Sequence, residues 1–494
     1  MMQTIAHLAN KVFKRCPDKL AVKDVNRELT YRQLQKRVYQ ICFALKKEGL
    51  KKGDRIGILM SNRLEHIELD LAAAFGGFIK VPINYRLHSK EIEYIIENSE
   101  TKILIGEENL TSALHTSCPV IHAGEEYERW LSEHEGAEPE MEAVEDDLFA
   151  IMYTSGTTGK PKGVMLSHRN MISSAISLAL VCEITPDDVV GHVAPLTHGS
   201  NFLSHISWLF GLTQVVFDKF SPSEFLNDIE REQVSFIFMV PTMVNLMIQD
   251  TSFDAAKLKG IKSINMAGSP IAASKLKQAI EKAGPIFIET YGLVEAPMTI
   301  TVMPRGELAG RLESCGTAGP FVEMKLVDDE GVEVPQGEIG EIICKGSLVM
   351  QGYWRNKAAT EETLRDGWLH TGDLGWRDEQ GYLHIVDRKK DVIISGGLNI
   401  YPREIEEILN KHNGVKETCV VGRPHEKWGE AVIAYCVLNE GAAATEEELL
   451  ELCRNYLASF KKPKEIHIVS ELPKSSYGKI LKRELRSLEG RVAN

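Results

Sequence analysis

Apolar positions recur along this chain in more than one rhythm, and the rhythm changes near residue 310 and again near residue 390. At the start, Ile5, Leu8, Val12 and Phe13 fall on one helical face and Pro17 closes it, which predicts an amphipathic first helix. The basic stretch "MMQTIAHLANKVFKRCPDKL" also suits a transit peptide, but the apolar stripe fits a core helix better. Up to about residue 310, short apolar runs ("RIGILM", "TKILIG", "LFAIMYTS", "QVVFD", "VSFIFMV", "SINMAG") alternate with amphipathic stretches such as "TMVNLMIQD". That alternation predicts a layered α/β architecture with largely parallel sheets. "EGAEPEMEAVEDD", Glu135 to Asp147, breaks the pattern with acidic, aperiodic residues and is expected to link two sub-lobes across the surface.

From about Ser314 to Asp387 the texture shortens. The strand candidates "EMKLVDD", "GEIICKG" and "GYLHIVDR", separated by Gly-containing turns, predict a small β subdomain. Beyond Asp387 a further α/β unit begins, where Pro402 suits the first turn of a helix striped by Ile405, Ile408 and Leu409. No stretch repeats at a period of about 20–50 residues.

Composition narrows the partners. The chain has 494 residues, enough for three or so compact domains, with 43% apolar and 26% charged residues in the ordinary globular range. A net charge of −13 argues against bulk attraction to nucleic acid or anionic membrane, so an anionic substrate would need locally placed cations. Nine cysteines lie scattered from Cys16 to Cys453 without a CxxC pair, which reads as reduced thiols in a cytoplasmic protein. No apolar run approaches the roughly 20 residues that span a bilayer.

Candidate chemistry concentrates in "YTSGTTGKPKGVMLSH", Tyr153 to His168, which follows an apolar strand candidate. Glycines let successive N–H groups turn around an anion, the hydroxyls of Thr154, Ser155, Thr157 and Thr158 add donors, and Lys160 or Lys162 adds charge. The common phosphate loop needs GxxxxGK[ST]. Here Gly156 and Gly159 stand too close together and Pro161 follows Lys160, so that reading fails.

The signature resembles the adenylate-forming superfamily of acyl-CoA synthetases, amino-acid-activating domains and luciferases. "IKVPINYRL" (Ile79–Leu87), "PLTHGS" (Pro195–Ser200), "YGLVEA" (Tyr291–Ala296), "GWLHTGDLG" (Gly367–Gly375), "DRKKDVIISGGLNIYPREIE" (Asp387–Glu406) and "LPKSSYGKILKRELR" (Leu472–Arg486) follow the family's order across nearly the whole chain. The resemblance implies a large N-terminal domain, 1–387, of layered α/β sub-lobes (about 1–145 and 148–310) plus a small β-barrel-like subdomain (311–387). A small mobile α+β C-terminal domain, 388–494, would follow. It implies an ATP-dependent acyl-CoA synthetase with Mg²⁺, ATP and coenzyme A. A carboxylate attacks the α-phosphate of ATP to give acyl-adenylate and pyrophosphate, and the thiol of coenzyme A then displaces AMP. Bringing an anion to a polyanion demands cations: at ~4 Å and an effective dielectric of about 20, a unit-charge contact is worth on the order of 4 kcal/mol.

By the same resemblance, Thr154, Ser155, Gly156, Thr157, Thr158, Gly159 and Lys160 cover the terminal phosphates, and Thr154 and Glu295 hold Mg²⁺. Tyr291 stacks on adenine, Gly268, Ser269 and Gly292 permit close backbone approach, and Asp373, assisted by Arg388, takes the ribose hydroxyls. Lys479, in "YGKI", is the catalytic cation and one of the ATP/AMP-binding residues, and it leaves when the C-terminal domain rotates about a hinge at Lys390. Its neighbours Lys474, Lys482 and Arg483 are expected to be solvated. Gly396 and Gly397 line a pantetheine tunnel, in a stretch that also reads as a β-turn. His198 stands at the mouth of an acyl pocket, either as its gate or near the thiol in the second step, with Met239, Val240, Val244, Ala267 and Leu293 as walls.

Three positions depart from the family pattern: Val294 where Thr is usual, Tyr477 where Thr is commoner, and Ile394 where some relatives carry Lys. No Asp stands in "PLTHGS" to hold an amino acid's ammonium, and the end "RVAN" carries no peroxisomal address, against a luciferase. The apolar walls suit a medium- or long-chain fatty acid, with an aryl acid of the benzoate, coumarate or succinylbenzoate sort as the alternative. A catalytically inactive nucleotide-binding regulator, motivated by Val294, is the rival from another class. Retention of Thr154, Glu295, Asp373 and Lys479 weighs against it. The resemblance also implies a homodimer.

Overall fold

The structure, a computed structural model, describes residues 3–154, 160–474 and 480–487. It divides into two compact units. One comprises Met1–Pro270, Lys277–Met324 and Cys344–His370; the other comprises Ile271–Leu276, Lys325–Ile343 and Thr371–Asn494.

The first unit is built on two large sheets. In the seven-stranded sheet the order is Gly352–Tyr353, Lys162–Ser167, Leu148–Thr154, Ile79–Pro82, Arg55–Leu59, Thr101–Gly106, Val120–His122. In the nine-stranded sheet it is Thr317–Ala318, Thr301–Met303, Phe287–Tyr291, Ser263–Met266, Phe236–Met239, Val189–His192, Thr213–Val216, Leu20–Lys23, Glu28–Thr30. Central neighbours pair in parallel, and antiparallel pairs are confined to the ends. Parallel strands are covered on both faces, so they read as unbroken apolar runs; Arg55–Leu59 is buried along its whole length.

Helix starts follow local side-chain chemistry. Ile5–Arg15 begins after Thr4, whose hydroxyl accepts from the His7 backbone N–H, and it buries Ile5, Val12 and Phe13 as the spacing predicts. Tyr31–Lys47 opens on a reciprocal capping box between Thr30 and Gln33 and buries Leu34, Val38, Ile41 and Leu45. The acidic link expected over 135–147 has no regular structure until it meets the strand at Leu148. Arg169 holds it through Glu145 and Asp146, both at 2.7 Å, and Lys52 reaches Asp147 at 2.7 Å.

Two buried polar networks inside this unit are well paired. Lys80 is fully buried and donates to Asp70 at 2.7 Å and Asn201 at 2.6 Å. His192 lies between Ser200 and Gln214, 3.0 Å from each, and burial holds its pKa down to about 4.

In the second unit, residues 373–377 pair antiparallel with Leu383–Arg388, with Asp373 opposite Arg388. The C-terminal sheet runs Leu398–Ile400, Ile393–Ser395, Gly429–Leu438, Val415–His425, with Glu465–Ile468 parallel to Gly429–Leu438. Pro402 opens the helix Pro402–Leu409, whose Ile405 and Leu409 pack with Val420, Val432 and Leu449 of the sheet and of the helix Glu446–Tyr456. Among the described residues no helix is long and apolar enough to cross a membrane.

Candidate active site

Val189–His192, Phe236–Met239, Ser263–Met266 and Phe287–Tyr291 are consecutive parallel strands, registered as Val190↔Phe236, Met239↔Met266 and Met266↔Glu289. Each runs out into a segment carrying predicted residues: His198 after the first, Val240 after the second, Ala267, Gly268 and Ser269 after the third, and Gly292 to Glu295 after the fourth, which itself ends on Tyr291. Ligands of open parallel sheets lie outside the carboxyl ends of the strands. Pieces far apart in sequence thus meet along one edge.

Local chemistry explains the shape of that edge. Gly268 has φ +92°, a left-handed conformation that favours glycine. At Gly292 a Cβ would stand 2.5 Å from the Met298 backbone N, so the chain turns back closely there. Leu293 and Ala296 exchange backbone hydrogen bonds at 3.1 and 3.3 Å and hold Val294 and Glu295 between them. Val240, Ala267, Tyr291, Leu293 and Val294 pack into one apolar cluster with Phe238. Met239 and Val244, by contrast, have no exposed surface. His198 precedes the helix Gly199–Phe210, half-buried, with Nδ1 3.3 Å from the Thr197 carbonyl.

At the phosphate end, Thr154 closes its strand opposite Lys162. Ser155, Gly156, Thr157, Thr158 and Gly159 lie outside the described residues. Lys160 places its ammonium 5.3 Å from the Tyr94 ring, and Lys162 places its own 5.0 Å from the Tyr353 ring. The Tyr353 hydroxyl donates to Glu295 Oε1 at 2.7 Å, and the Met350 N–H donates to the Glu295 carbonyl at 2.8 Å. Burial, and then the Glu295 charge, push the Tyr353 phenol well up, so it stays a donor. Tyr353 is missing from the sequence reading, because nothing in the pattern links it to a carboxylate 58 positions earlier.

Among the described residues no cluster of three or more His, Cys, Asp or Glu could hold a metal ion alone. One carboxylate and one hydroxyl do suit a small hard cation that arrives with phosphate oxygens and keeps several waters. The donor set therefore fits Mg²⁺ delivered with a nucleotide.

In the second unit, Arg388 Nε donates to Asp373 Oδ1 at 2.7 Å, a cross-strand pair with Asp373 nearly buried. Asp387 accepts from the backbone N–H groups of Arg388 and Arg403 at 2.7 and 3.0 Å. Lys390 is exposed in the short turn Lys389–Asp391. Gly396 and Gly397 (φ +61° and +80°) form the two-residue turn between Ser395 and Leu398, so the β-turn reading stands. The Gly396 N–H donates to the Trp428 carbonyl at 2.8 Å, and the half-exposed Trp428 ring has Lys427 and Lys464 ammoniums 4.9 and 5.9 Å away. Ile394 is exposed beside this turn.

Lys479 lies outside the described residues, but its flanks are defined. Lys474 pairs with Ile480 as an antiparallel bridge, and the Leu481 N–H donates to the Pro473 carbonyl at 2.8 Å. Two expectations change here. Lys474 is not simply solvated but reaches Glu417 at 2.6 Å. Lys482 is largely buried, 3.4 Å from Glu406; burial alone would lower its pKa, but Glu406, then Asp387, raise it and keep the ammonium charged. Arg483 is exposed, as expected.

Comparison with known proteins adds the following. The AMP-binding enzyme family matches residues 9–354, and the AMP-binding enzyme C-terminal domain matches 404–479. The chain is 34% identical over 476 residues to a feruloyl-CoA synthase of Amycolatopsis sp, covering 95% of this chain and 96% of that one. It is 33% identical over 499 residues to the fatty acid–[acyl-carrier-protein] ligase ScoC of Streptomyces coeruleorubidus, covering 98% and 96%. The crystal structure of ATP-bound MatB from Rhodopseudomonas palustris superposes with a TM-score of 0.91 at 32% identity, covering 98% of both chains.

Proposed function

The chain belongs to the AMP-binding, adenylate-forming enzyme family and is an acid–thiol ligase using a carboxylic acid, ATP and coenzyme A, and from that premise we propose that its acid is a medium- or long-chain fatty acid. The observation that carries this reading is the strand-end edge itself. Val240, Ala267, Leu293 and Phe238, on or just after these strand ends, all belong to or pack against the apolar core of the first unit. An aryl acid is the second reading, and the feruloyl-CoA synthase relative favours it.

In the first half-reaction, a carboxylate oxygen of the acid attacks the α-phosphorus of ATP. The bond to the bridging oxygen breaks and pyrophosphate leaves. Thr154 and Glu295 hold Mg²⁺, which supplies charge neutralisation on the phosphate oxygens, and Lys160 and the residues before it steady the leaving end. Tyr291 stacks on the adenine, Gly268, Ser269 and Gly292 admit it, and Asp373 with Arg388 holds the ribose. Lys479 stabilises the charge that builds in the transition state. In the second half-reaction the thiolate of coenzyme A attacks the acyl carbon and AMP leaves. Rotation of a C-terminal domain, 388–494, about Lys390 withdraws Lys479, while Gly396 and Gly397 leave room for the thiol arm beside His198. A cytoplasmic homodimer completes the reading; the nine cysteines, none of them in a disulfide, fit a reducing compartment.

ATP–pyrophosphate exchange over a panel of fatty and aryl acids tests the substrate. The expected result is a kcat/KM for a fatty acid of at least eight carbons about tenfold above that for any aryl acid, the discrimination that a few apolar contacts supply. The reverse order would replace the fatty reading with the aryl one.

A further inference from the structure

We propose that Tyr353 is a positioning residue for Glu295: it anchors one carboxylate oxygen so that the other faces the cation carried by ATP. The proposal rests on the reading of Glu295 as a Mg²⁺ ligand. Tyr353 is 7% exposed and sits in the two-residue strand Gly352–Tyr353, paired antiparallel with Lys162–Ser167 at Gly352↔Met165 and Tyr353↔Val164. Backbone bonds on both sides fix it: Gln351 N–H to the Met165 carbonyl at 3.0 Å, and Trp354 N–H to the Gly163 carbonyl at 2.7 Å. Its own N–H donates to Thr360 Oγ1 at 2.9 Å. The ring is therefore held by the strand that leaves the phosphate segment, and the preceding Met350 N–H binds the Glu295 backbone at 2.8 Å.

From this fixed base the phenol donates to Glu295 Oε1 at 2.7 Å. A glutamate carboxylate on its flexible stem would otherwise sample many orientations, and ordering it costs entropy at the moment of binding. Mg²⁺ tolerates little deviation from octahedral geometry, so a ligand oriented in advance matters more for it than for a looser cation. The same ring carries the Lys162 ammonium 5.0 Å from its centroid. One side chain thus touches both a cation on the loop's exit strand and the carboxylate proposed to meet the metal. Partners of metal-binding carboxylates typically contribute about 10–100-fold in metal affinity.

Calorimetric titration of ATP, with Mg²⁺ and with EDTA, gives the ratio by which the metal improves binding. A merely structural residue would weaken both affinities alike and leave the ratio intact. Tyr353→Phe keeps the ring and its packing, and its melting curve checks the fold. The expected result is a ratio about tenfold below wild type with metal-free ATP affinity unchanged. Glu295→Gln lowers the ratio at least as far, and the double variant falls no further than Glu295→Gln alone. If Glu295→Gln keeps the full ratio, the metal-ligand reading is wrong and the proposal goes with it. If Glu295→Gln loses the ratio while Tyr353→Phe keeps it, or if the double variant falls further, the role of Tyr353 alone is overturned.

Discussion

Glu295 and the residues flanking Lys479 are held by different kinds of structure. Glu295 sits in a turn closed by backbone bonds, touched by a buried tyrosine whose strand is paired on a seven-stranded sheet. The described residues flanking Lys479 combine apolar contacts of Leu472, Ile480 and Leu485 with ion pairs: Lys474 to Glu417, Lys482 to Glu406, and, from the helix Lys482–Ser487, Arg486 to Asp391 beside the proposed hinge. Backbone pairing over an apolar core fixes one geometry. The more exposed of these ion pairs, Lys474–Glu417 and Arg486–Asp391, are worth only about 0–1 kcal/mol each, so they can be given up and remade. The proposed division of labour, in which nucleotide binding is permanent and the catalytic cation is on loan, would draw on that difference.

The largest effect that would sharpen this contrast comes from Lys479→Ala. Loss of a transition-state cation costs ~10²–10³ in rate, so adenylation should fall that far, while thioester formation from supplied acyl-adenylate persists. Equal losses in both half-reactions would break the division.

Lys482→Met probes a charge pair on the C-terminal side that is largely buried. It leaves Glu406 without its ammonium, which should cost ~3 kcal/mol in urea unfolding, close to the usual penalty for breaking a buried pair. An unchanged midpoint would mean that the pair does not anchor the segment.

A pH series probes the first unit instead. Burial holds His168 and His192 at about 4, below an unfolded value of 6.5. The unfolded chain therefore takes up protons first, so the stability they contribute is whole above pH 6.5 and is lost as pH falls toward 4. Each can account for up to about 3 kcal/mol over that window, at 1.4 kcal/mol per unit. His192→Gln should flatten the fall in urea midpoint between pH 6.5 and 4.5; an identical slope would place the titration elsewhere.

The alternation of apolar runs made the parallel sheets legible, because strands covered on both faces must be apolar throughout. The Gly396–Gly397 turn was legible for a similarly local reason, since two left-handed residues in a hairpin favour glycine. Lys482 was misread because a basic run looks solvated until Glu406, Asp387 and Asp391 fold around it. Tyr353 was invisible: its role depends on the register of a two-residue strand against Lys162–Ser167. Among the pocket candidates, periodicity could not separate Val240, which keeps some surface, from Met239 next to it, which keeps none. Neighbours on a strand end share apolar character but not direction.

The most direct test of binding kept apart from catalysis is calorimetric titration of Lys479→Ala with Mg²⁺ and ATP. The predicted result is an affinity within about threefold of wild type, less than 1 kcal/mol, in a protein whose pyrophosphate exchange has collapsed. An affinity lost in proportion to the activity would contradict it, and would make Lys479 a principal holder of the nucleotide in the ground state rather than a group that acts in the transition state.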